Sequence, residues 1–212
     1  MINLVIVGAS GHARVIAAAA LQCGGFSVRG FIDNESRKGE MVDGLPILGG
    51  DQSFPILEKE INDISVIIGI GDNILRREIS QKIGSVKYAT VIHPSAVVAQ
   101  GVEIGKGTFV AASATINPGA KIGDHVIVNT NSSIDHDCRL QDFSAVSPGA
   151  VLTGGVTVGA GAMIGAGSIV NPGLEIGEGA TVGSGATVID SILPDVVCVG
   201  VPARPLLRPT QR

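Results

Sequence analysis

One stretch of this 212-residue chain is dense in side chains that can carry out acid–base chemistry. It covers residues 129–137 and reads Asn-Thr-Asn-Ser-Ser-Ile-Asp-His-Asp. His136 lies between two carboxylates, and a carboxylate beside an imidazole raises its basicity and fixes its tautomer. We therefore predict that His136 is a functional side chain and not merely a solvated corner residue, with either Asp135 or Asp137 as its partner.

This stretch belongs to a repeat with a period of six. From Ile92 to Val188 every sixth residue is Ile, Val or Leu, and glycines recur between these leading positions. Branched aliphatic residues suit stacked strands, and glycine permits the positive φ that a corner in every repeat requires. The repeat resembles that of the hexapeptide-repeat acyltransferases, which implies a left-handed parallel β-helix with three hexapeptides per coil. A right-handed β-helix and a non-catalytic solenoid are the alternatives.

The repeat predicts the surroundings of His136. With eighteen residues per coil, Pro118 lies one coil before the imidazole and Gly154 one coil after it. The ring should therefore lie below a step that has no side chain, where a ligand has room to bind. A backbone N–H of Gly154 or Gly155 could hold an oxyanion there.

The other histidines do not indicate a metal site. His93 and His125 have different offsets within their repeats, and neither is a whole number of coils from His136. A zinc ion shared between coils would need three convergent imidazoles. We expect no metal.

The first 88 residues predict a Rossmann-like α/β domain that binds a nucleotide. A buried strand over residues 2–7 leads through a Gly-rich turn, Gly8–His12, into a helix over 13–21, and a second strand ends before Asp33. A third strand over 64–70 precedes Gly71, and a helix over 74–83 follows. The carboxyl ends of parallel strands form the ligand-binding edge of such sheets. An NAD-dependent enzyme is disfavoured because residues 89–212 contain the β-helix and a C-terminal tail, with no second α/β half.

Composition narrows the partners and the compartment. The net charge of −4 argues against a nucleic-acid surface. Three scattered cysteines without a CxxC pair favour buried thiols in a reducing compartment. The N-terminus has no basic segment and only a short apolar run, so we expect no signal peptide, no membrane insertion and a cytoplasmic location.

The order of motifs along the whole chain resembles the PglD/NeuD group of sugar acetyltransferases. These motifs are Gly8–His12, Gly71–Asn73, residues 129–137, Gly154–Val156 and Val199–Arg204. The resemblance implies direct acetyl transfer from acetyl-CoA to the amino group of a nucleotide-linked sugar, of the UDP-4-amino-4,6-dideoxy type. It also implies a homotrimer with active sites between subunits. The alternatives are O-acetylation of a sugar such as sialic acid and, more distantly, a non-catalytic scaffold.

The same resemblance implies roles for individual residues. His136 would be the general base and Asp137, where the amino-sugar enzyme usually has Glu, would tune it. Substrate contacts would come from Ser10, Gly11, His12, Asp33, Asn34, Gly71 and Asn129. Acetyl-CoA contacts would come from Ala145, Gly154, Gly165, Ala166 and Ser184. Ala145 stands where the family has a histidine near the thioester.

Overall fold

A computed structural model describes residues 1–206 and shows an α/β part followed by a parallel β-helix. The last six residues of the predicted C-terminal tail lie outside the described residues. The α/β sheet has the strand order β3-β4-β2-β1-β5, in which only β3 runs antiparallel to its neighbour. Its elements are β1 Ile2–Val7, α1 Gly11–Gln22, β2 Phe26–Ile32, β3 Met41–Val42, β4 Leu45–Gly49, α2 Phe54–Glu60, β5 Ile64–Ile68 and α3 Asn73–Ile83. Two short 3₁₀ turns lie at Glu35–Arg37 and Asp51–Ser53.

The central strand of this sheet brings three connecting segments to one edge. In the parallel pairing, Val7 of β1 is opposite Ile32 of β2 and Ile68 of β5. The segments that follow these residues therefore start side by side, as the sequence predicts. The third strand ends two residues earlier than expected, which leaves residues 69–72 free to form the loop before α3.

The repeat forms a three-sided, left-handed parallel β-helix. Partner residues in the ladders are eighteen apart, for example Ile116 with Ile134 and Ile134 with Leu152, so three hexapeptides make each coil, as predicted. The strands are β6 Val91–Ile92, β7 Val97–Val98, β8 Glu103–Ile104, β9 Phe109–Val110, β10 Thr115–Ile116, β11 Lys121–Ile122, β12 Ile127–Val128, β13 Ser133–Ile134, β14 Arg139–Leu140, β15 Ala145–Val146, β16 Val151–Leu152, β17 Thr157–Val158, β18 Met163–Ile164, β19 Ile169–Val170, β20 Glu175–Ile176, β21 Thr181–Val182, β22 Thr187–Val188, β23 Val197–Val199 and β24 Arg204–Pro205.

Each two-residue strand directs its leading aliphatic residue inward and the residue before it outward, because side chains alternate along a strand. From Val110 to Val188 the leading residues are almost completely buried, and with small residues such as Ala114 and Ala150 they form one continuous core. Val, Ile and Leu stacked in this way exclude water along the whole axis of the β-helix. The core therefore holds every corner of the coil in a defined position.

The three faces of the β-helix differ in their outward residues. We call the sheet that runs from β6 through β9, β12, β15, β18 and β21 to β23 the covered face, because the α/β part packs on its first coils. The uncharged face consists of the strands from β7 to β22, and the charged face of those from β8 to β20. Outward residues of the uncharged face are Val97, Thr115, Ser133, Val151, Ile169 and Thr187. Those of the charged face are Glu103, Lys121, Arg139, Thr157 and Glu175.

Helix α3 attaches the α/β part to the β-helix through a buried guanidinium. Arg76 is 1% exposed and donates to the carbonyl oxygens of His125 at 2.9 Å and Phe143 at 2.8 Å. Asn73 donates to the Gly161 carbonyl at 3.0 Å. Successive coils thus contribute main-chain acceptors to one helix, which satisfies a charge that would otherwise be costly to bury.

The two parts also share a hydrophobic core. One cluster joins Ala13 and Ile16 of α1 to Val91 and Phe109 of the β-helix. The two parts are therefore packed together, and the domain boundary between residues 88 and 89 remains a proposal about where the sequence divides.

Candidate active site

His136 lies in the corner that joins the uncharged face to the charged face. Its side chain is 62% exposed, and its Nδ1 is 2.8 Å from Oδ2 of Asp137. The hydrogen bond to Asp137, together with the charge of Asp135, raises the pKa of His136 above its ordinary value. With Nδ1–H held by Asp137, Nε2 carries the lone pair that can accept a proton.

The two flanking carboxylates have different partners. Asp135 does not bind the ring; its Oδ1 accepts the backbone N–H of His136 at 2.8 Å. Asp137 has a φ of 60°, a left-handed conformation that is uncommon for residues other than glycine. The 2.8 Å distance between its Oδ2 and Nδ1 of His136 identifies Asp137 as the partner of the imidazole.

Gly154 lies against the imidazole, as the eighteen-residue coil predicts. A β-carbon at residue 154 would be 2.6 Å from both Cε1 and Nε2 of His136. The backbone N–H of Gly155 is already bonded to the His136 carbonyl at 2.9 Å. Within residues 1–206 the N–H of Gly154 has no acceptor, so of the two glycines Gly154 is the better oxyanion donor.

A second group of site residues meets at a cavity between the α/β part and the covered face. The cavity has a volume of about 310 Å³. It is lined by His12, Gly71, Ile127, Asn129, Ala145, Val146, Ser147 and Met163. Four residues chosen from the sequence are therefore neighbours in space although they come from four separate segments.

His12 is the titratable group of this cavity. Its ring is edge-on to Phe109, with the centroids 5.6 Å apart, and its Nε2 is buried without a hydrogen-bond partner within the described chain. Burial, with a smaller effect of Arg76, lowers the pKa of His12 to about 4. The imidazole is neutral near pH 7, and its unpaired nitrogen is available to a bound ligand.

The remaining residues of the α/β part form the rim of the ligand-binding edge. Ser10 and Gly11 are exposed at the start of α1. Asp33 accepts the backbone N–H of Ala9 at 2.8 Å, which holds the Gly-rich turn, and Asn34 caps the following 3₁₀ turn. Asp33 therefore shapes the turn that bears Ser10 and Gly11, and its contact with the substrate remains a prediction.

Four of the five residues predicted to bind acetyl-CoA occupy two different corners, and the fifth, Ala145, lies in strand β15 and lines the cavity at His12. Gly165, Ala166 and Ser184 are neighbours at the corner between the covered and uncharged faces, where the Gly185 N–H donates to Ala166. Gly154 lies at the next corner, beside His136. Within one chain, the residues predicted to bind acetyl-CoA therefore do not line a single groove.

The same separation applies to the two halves of the site. His136 is not among the residues that line the cavity at His12. Asn129, which does line it, belongs to the corner on the other side of the uncharged face. Within one chain, the predicted general base and the predicted sugar-nucleotide cavity are on opposite edges of one face.

Sequence reasoning missed the buried residues around His125, which stacks on Phe143 with centroids 4.9 Å apart. The sequence nevertheless contains a pattern that marks this corner. The third position after each leading residue is usually glycine with positive φ, but four consecutive repeats have His125, Asn131, Asp137 and Phe143 there. A side chain kept in this conformation costs free energy, so such positions indicate that the side chain is needed.

Two features are absent from residues 1–206. No group of three or more His, Cys, Asp or Glu side chains is arranged to hold a metal ion. No helix in this range is both long and apolar enough to cross a membrane.

Comparison with protein-family models gives two matches. Residues 3–83 match the PglD N-terminal domain, and residues 155–190 match the bacterial transferase hexapeptide (six repeats). These ranges coincide with the α/β part and with the later coils of the β-helix.

Solved structures match almost the whole chain. A variant of perosamine N-acetyltransferase from Caulobacter crescentus, in complex with CoA and GDP-perosamine, is 35% identical with a TM-score of 0.91, and the match covers 97% of each chain. The acetyltransferase domain of PglB from Neisseria gonorrhoeae is 33% identical with a TM-score of 0.88, and the match covers 96% of this chain and 99% of that domain.

Curated sequences match over shorter segments. UDP-N-acetylbacillosamine N-acetyltransferase from Bacillus subtilis is 35% identical over 114 residues, which are 53% of this chain and 52% of that protein. GDP-perosamine N-acetyltransferase from Escherichia coli O157:H7 is 31% identical over 141 residues, which are 65% of this chain and 61% of that protein. The chain therefore matches between half and two thirds of the length of these two relatives.

Proposed function

Since the chain belongs to the hexapeptide-repeat acetyltransferases with a PglD N-terminal domain, we propose that it transfers acetyl from acetyl-CoA to the amino group of a nucleotide-linked amino sugar. The observation that carries this proposal is the arrangement of His136: Asp137 holds one ring nitrogen, and Gly154 leaves the other accessible. The acceptor we favour is a UDP-4-amino-4,6-dideoxy sugar.

The names of the relatives support an amino-sugar acceptor. The Bacillus relative is named for UDP-N-acetylbacillosamine, whereas the Caulobacter structure contains GDP-perosamine and CoA. A further structure of the Neisseria domain contains acetyl coenzyme A. Since the two relatives differ in their nucleotide, the acceptors to be tested include several nucleotides.

In the proposed mechanism, the amine nitrogen of the sugar attacks the carbonyl carbon of the thioester. Nε2 of His136 takes a proton from this nitrogen as the C–N bond forms, and Asp137 stabilises the resulting imidazolium. The Gly154 N–H donates to the developing oxyanion. The C–S bond then breaks, and the thiolate of CoA leaves and takes the proton from the His136 imidazolium, which restores the base. The acetyl group passes directly to the amine nitrogen, which becomes an amide, without an acyl-enzyme.

We also propose that the active enzyme is a homotrimer with sites between subunits. The general base and the cavity at His12 are on opposite edges of the uncharged face, so a neighbour packed on that face would bring one chain's base towards another chain's cavity. Val97 and Ile169 on this face are 62% and 43% exposed in the single chain. Burying such residues between subunits is favourable, whereas the charged face is suited to solvent.

The proposed location is cytoplasmic. Cys23, Cys138 and Cys198 are free thiols in the structure, which is the usual state of cysteines in a reducing compartment.

The proposal is tested by measuring CoA thiol release with a panel of UDP-, GDP- and dTDP-linked amino sugars, next to free and CMP-linked sialic acid. His136→Ala should lose about 10²–10⁴-fold in turnover, the usual contribution of a positioned base, and should still bind acetyl-CoA. His93→Ala, which removes another corner imidazole, should keep wild-type turnover.

The outcomes separate the alternatives. Release only with sialic acid would replace the proposal with O-acetylation, and a protein that binds acetyl-CoA without turnover on any acceptor would favour a scaffold. Undiminished turnover by His136→Ala would remove the assignment of the base.

A further inference from the structure

The residue that holds Asp135 lies one coil before it. Nδ2 of Asn117 donates to Oδ1 of Asp135 at 2.9 Å, and the same oxygen accepts the backbone N–H of His136 at 2.8 Å. Asn117 and Asp135 are both partly buried at the start of their corners, where the side chain leaves the coil. A chain of hydrogen bonds therefore runs from Asn117 through Asp135 to the main chain of His136.

In this arrangement the two carboxylates beside His136 have different roles. Asp137 binds the ring at Nδ1, and Asp135 binds the main chain. Within residues 1–206, the Asn117 amide is the only side chain that donates to Asp135. Without it, the Asp135 carboxylate loses the bond that fixes its rotamer and can turn towards the imidazole.

We propose that Asn117 is a positioning residue for the transfer reaction: it holds Asp135 on the main chain of His136, so that Asp137 alone orients the ring and Nε2 stays directed at the Gly154 step. This inference rests on the proposed function. It concerns a residue without a contact to the ring, so Asn117 acts only through Asp135.

The electrostatics agree with this geometry. The hydrogen bond from Asn117 and, to a smaller extent, that from the His136 main chain lower the pKa of Asp135. This carboxylate is therefore charged near neutral pH. The residues that face the imidazole from the neighbouring coils are Pro118 and Gly154, and neither has a charge. Asp135 and Asp137 are therefore the charged groups that act on the ring.

The β-helix contains a matched control for Asn117. Three coils after residue 117, the sequence Asn-Pro-Gly recurs at residues 171–173, in the same corner and the same register. Asn171 has no side-chain hydrogen bond within the described chain and lies two coils beyond Asp135. Asn117→Ala and Asn171→Ala thus remove the same side chain from the same kind of corner, but only the first breaks the link to His136.

The experiment compares Asn117→Ala, Asp135→Asn and Asn171→Ala in the full-length enzyme. We measure kcat and KM for both substrates from pH 5 to 9 and follow the His136 ring by NMR titration of ¹⁵N-labelled histidine. The His136 signal is assigned by its absence from His136→Ala. Thermal midpoints show whether each variant folds.

The two site variants should shift the His136 titration in opposite directions. In Asn117→Ala the Asp135 carboxylate loses a hydrogen-bond donor and can approach the ring, where its negative charge stabilises the protonated imidazole. The midpoint of the His136 titration and the acid limb of kcat/KM should therefore move to higher pH. In Asp135→Asn the charge is removed but the carbonyl oxygen can still accept both hydrogen bonds, so the titration midpoint and the acid limb of kcat/KM should both move to lower pH. Asn117→Ala should lose about tenfold in kcat, with the KM for acetyl-CoA unchanged, because a hydrogen bond to a charged group is lost. Asn171→Ala should match the wild type.

Failure of this inference differs from failure of the proposed function. If His136→Ala is inactive but Asn117→Ala matches Asn171→Ala in kcat, acid limb and ring titration, the positioning role is wrong. If the ring titration shifts as expected but turnover does not need His136, the positioning of the ring stands and the proposed function is wrong. An equal loss of thermal stability in both asparagine variants, without a pH shift in either, would also overturn the inference.

Discussion

His125 and His136 lie less than one coil apart in the same β-helix, each in a corner of the coil, and their surroundings are opposite. His125 is 3% exposed, and its ring packs between Phe143 and Tyr88, with centroid distances of 4.9 and 4.5 Å. Burial lowers the pKa of His125 to about 4. The side chain of His136 is 62% exposed, and the hydrogen bond to Asp137 and the charge of Asp135 raise its pKa.

The difference shows that the repeat directs a corner side chain outward, and that the neighbouring structure then decides its chemistry. The corner of His125 is covered by helix α3, where Ser80 Oγ is 3.4 Å from Nε2 and Arg76 binds the His125 carbonyl. The corner of His136 is not covered by the α/β part, so its ring remains available to substrates. A glycine of a neighbouring coil lies against each ring, which permits a matched test of the two corners.

The largest effect is expected from Gly154→Ala, which adds a methyl group at 2.6 Å from Nε2 of His136. The exposed ring can turn away at little cost in stability, but it then leaves its reacting position. Misplacement by about 1 Å can cost about 10²-fold in rate, and we expect a loss of that size in CoA thiol release with an unchanged thermal midpoint.

Pro172→Ala is the control for this variant because it changes the equivalent position one coil further on. A Gly154→Ala enzyme with full activity would mean that the space above Nε2 is not where the reaction takes place.

Gly107→Ala should instead reduce stability. A β-carbon there would overlap Nδ1 and Cε1 of His125, and this ring cannot move because two aromatic side chains enclose it. Gly101→Ala has the same place in its repeat and a similar φ, 82° against 69°, but open space around it, so it measures the backbone strain alone. We expect the free energy of unfolding to fall by about 1–3 kcal/mol more for Gly107→Ala than for this control, measured by urea titration. Equal losses would show that the His125 corner is as free to adjust as an open one.

The smallest effect concerns the pH dependence of stability. Between about pH 6.5 and pH 4 the unfolded chain binds a proton at His125 that the folded chain does not, so the free energy of unfolding decreases as the pH falls through this window. The contribution of His125 to stability is complete above the pKa of this residue in the unfolded chain. It is lost as the pH falls towards the pKa in the folded chain, about 4. His125→Asn removes the titrating group and suits the φ of 55°, so its stability should depend less on pH, by at most about 1.4 kcal/mol per pH unit.

His12 titrates in the same window, so part of the slope should remain in His125→Asn. The control is His93→Asn, whose imidazole is hydrogen-bonded to Ser95 near the surface. Identical slopes for His125→Asn and the wild type would contradict the burial of a neutral His125.

Much of the site follows from the repeat alone. Because the coil has a constant length of eighteen residues, counting along the sequence places Gly154 against His136 without any knowledge of tertiary contacts. The ligand-binding edge of the α/β sheet can be predicted equally well, because parallel strands align the segments after Val7, Ile32 and Ile68.

Other contacts have no such regularity. Arg76 has the local sequence of a solvated residue on an amphipathic helix, yet it is buried and bonded to carbonyls from distant corners. The strands β3 and β4 and helix α2 were also not predicted, since their short apolar segments have no clear period.

The sequence by itself determined the period, the coil and the position of His136 beneath a glycine, because a strict repeat converts chain distance into spatial distance. It left open which acid binds the ring, and the 2.8 Å distance between His136 Nδ1 and Asp137 Oδ2 in the structure decides for Asp137. Only the tertiary structure decided that His125 is buried by α3 and that His136 is separated from the cavity at His12. These features depend on how two unlike parts of the chain pack together, and no periodic pattern records that packing.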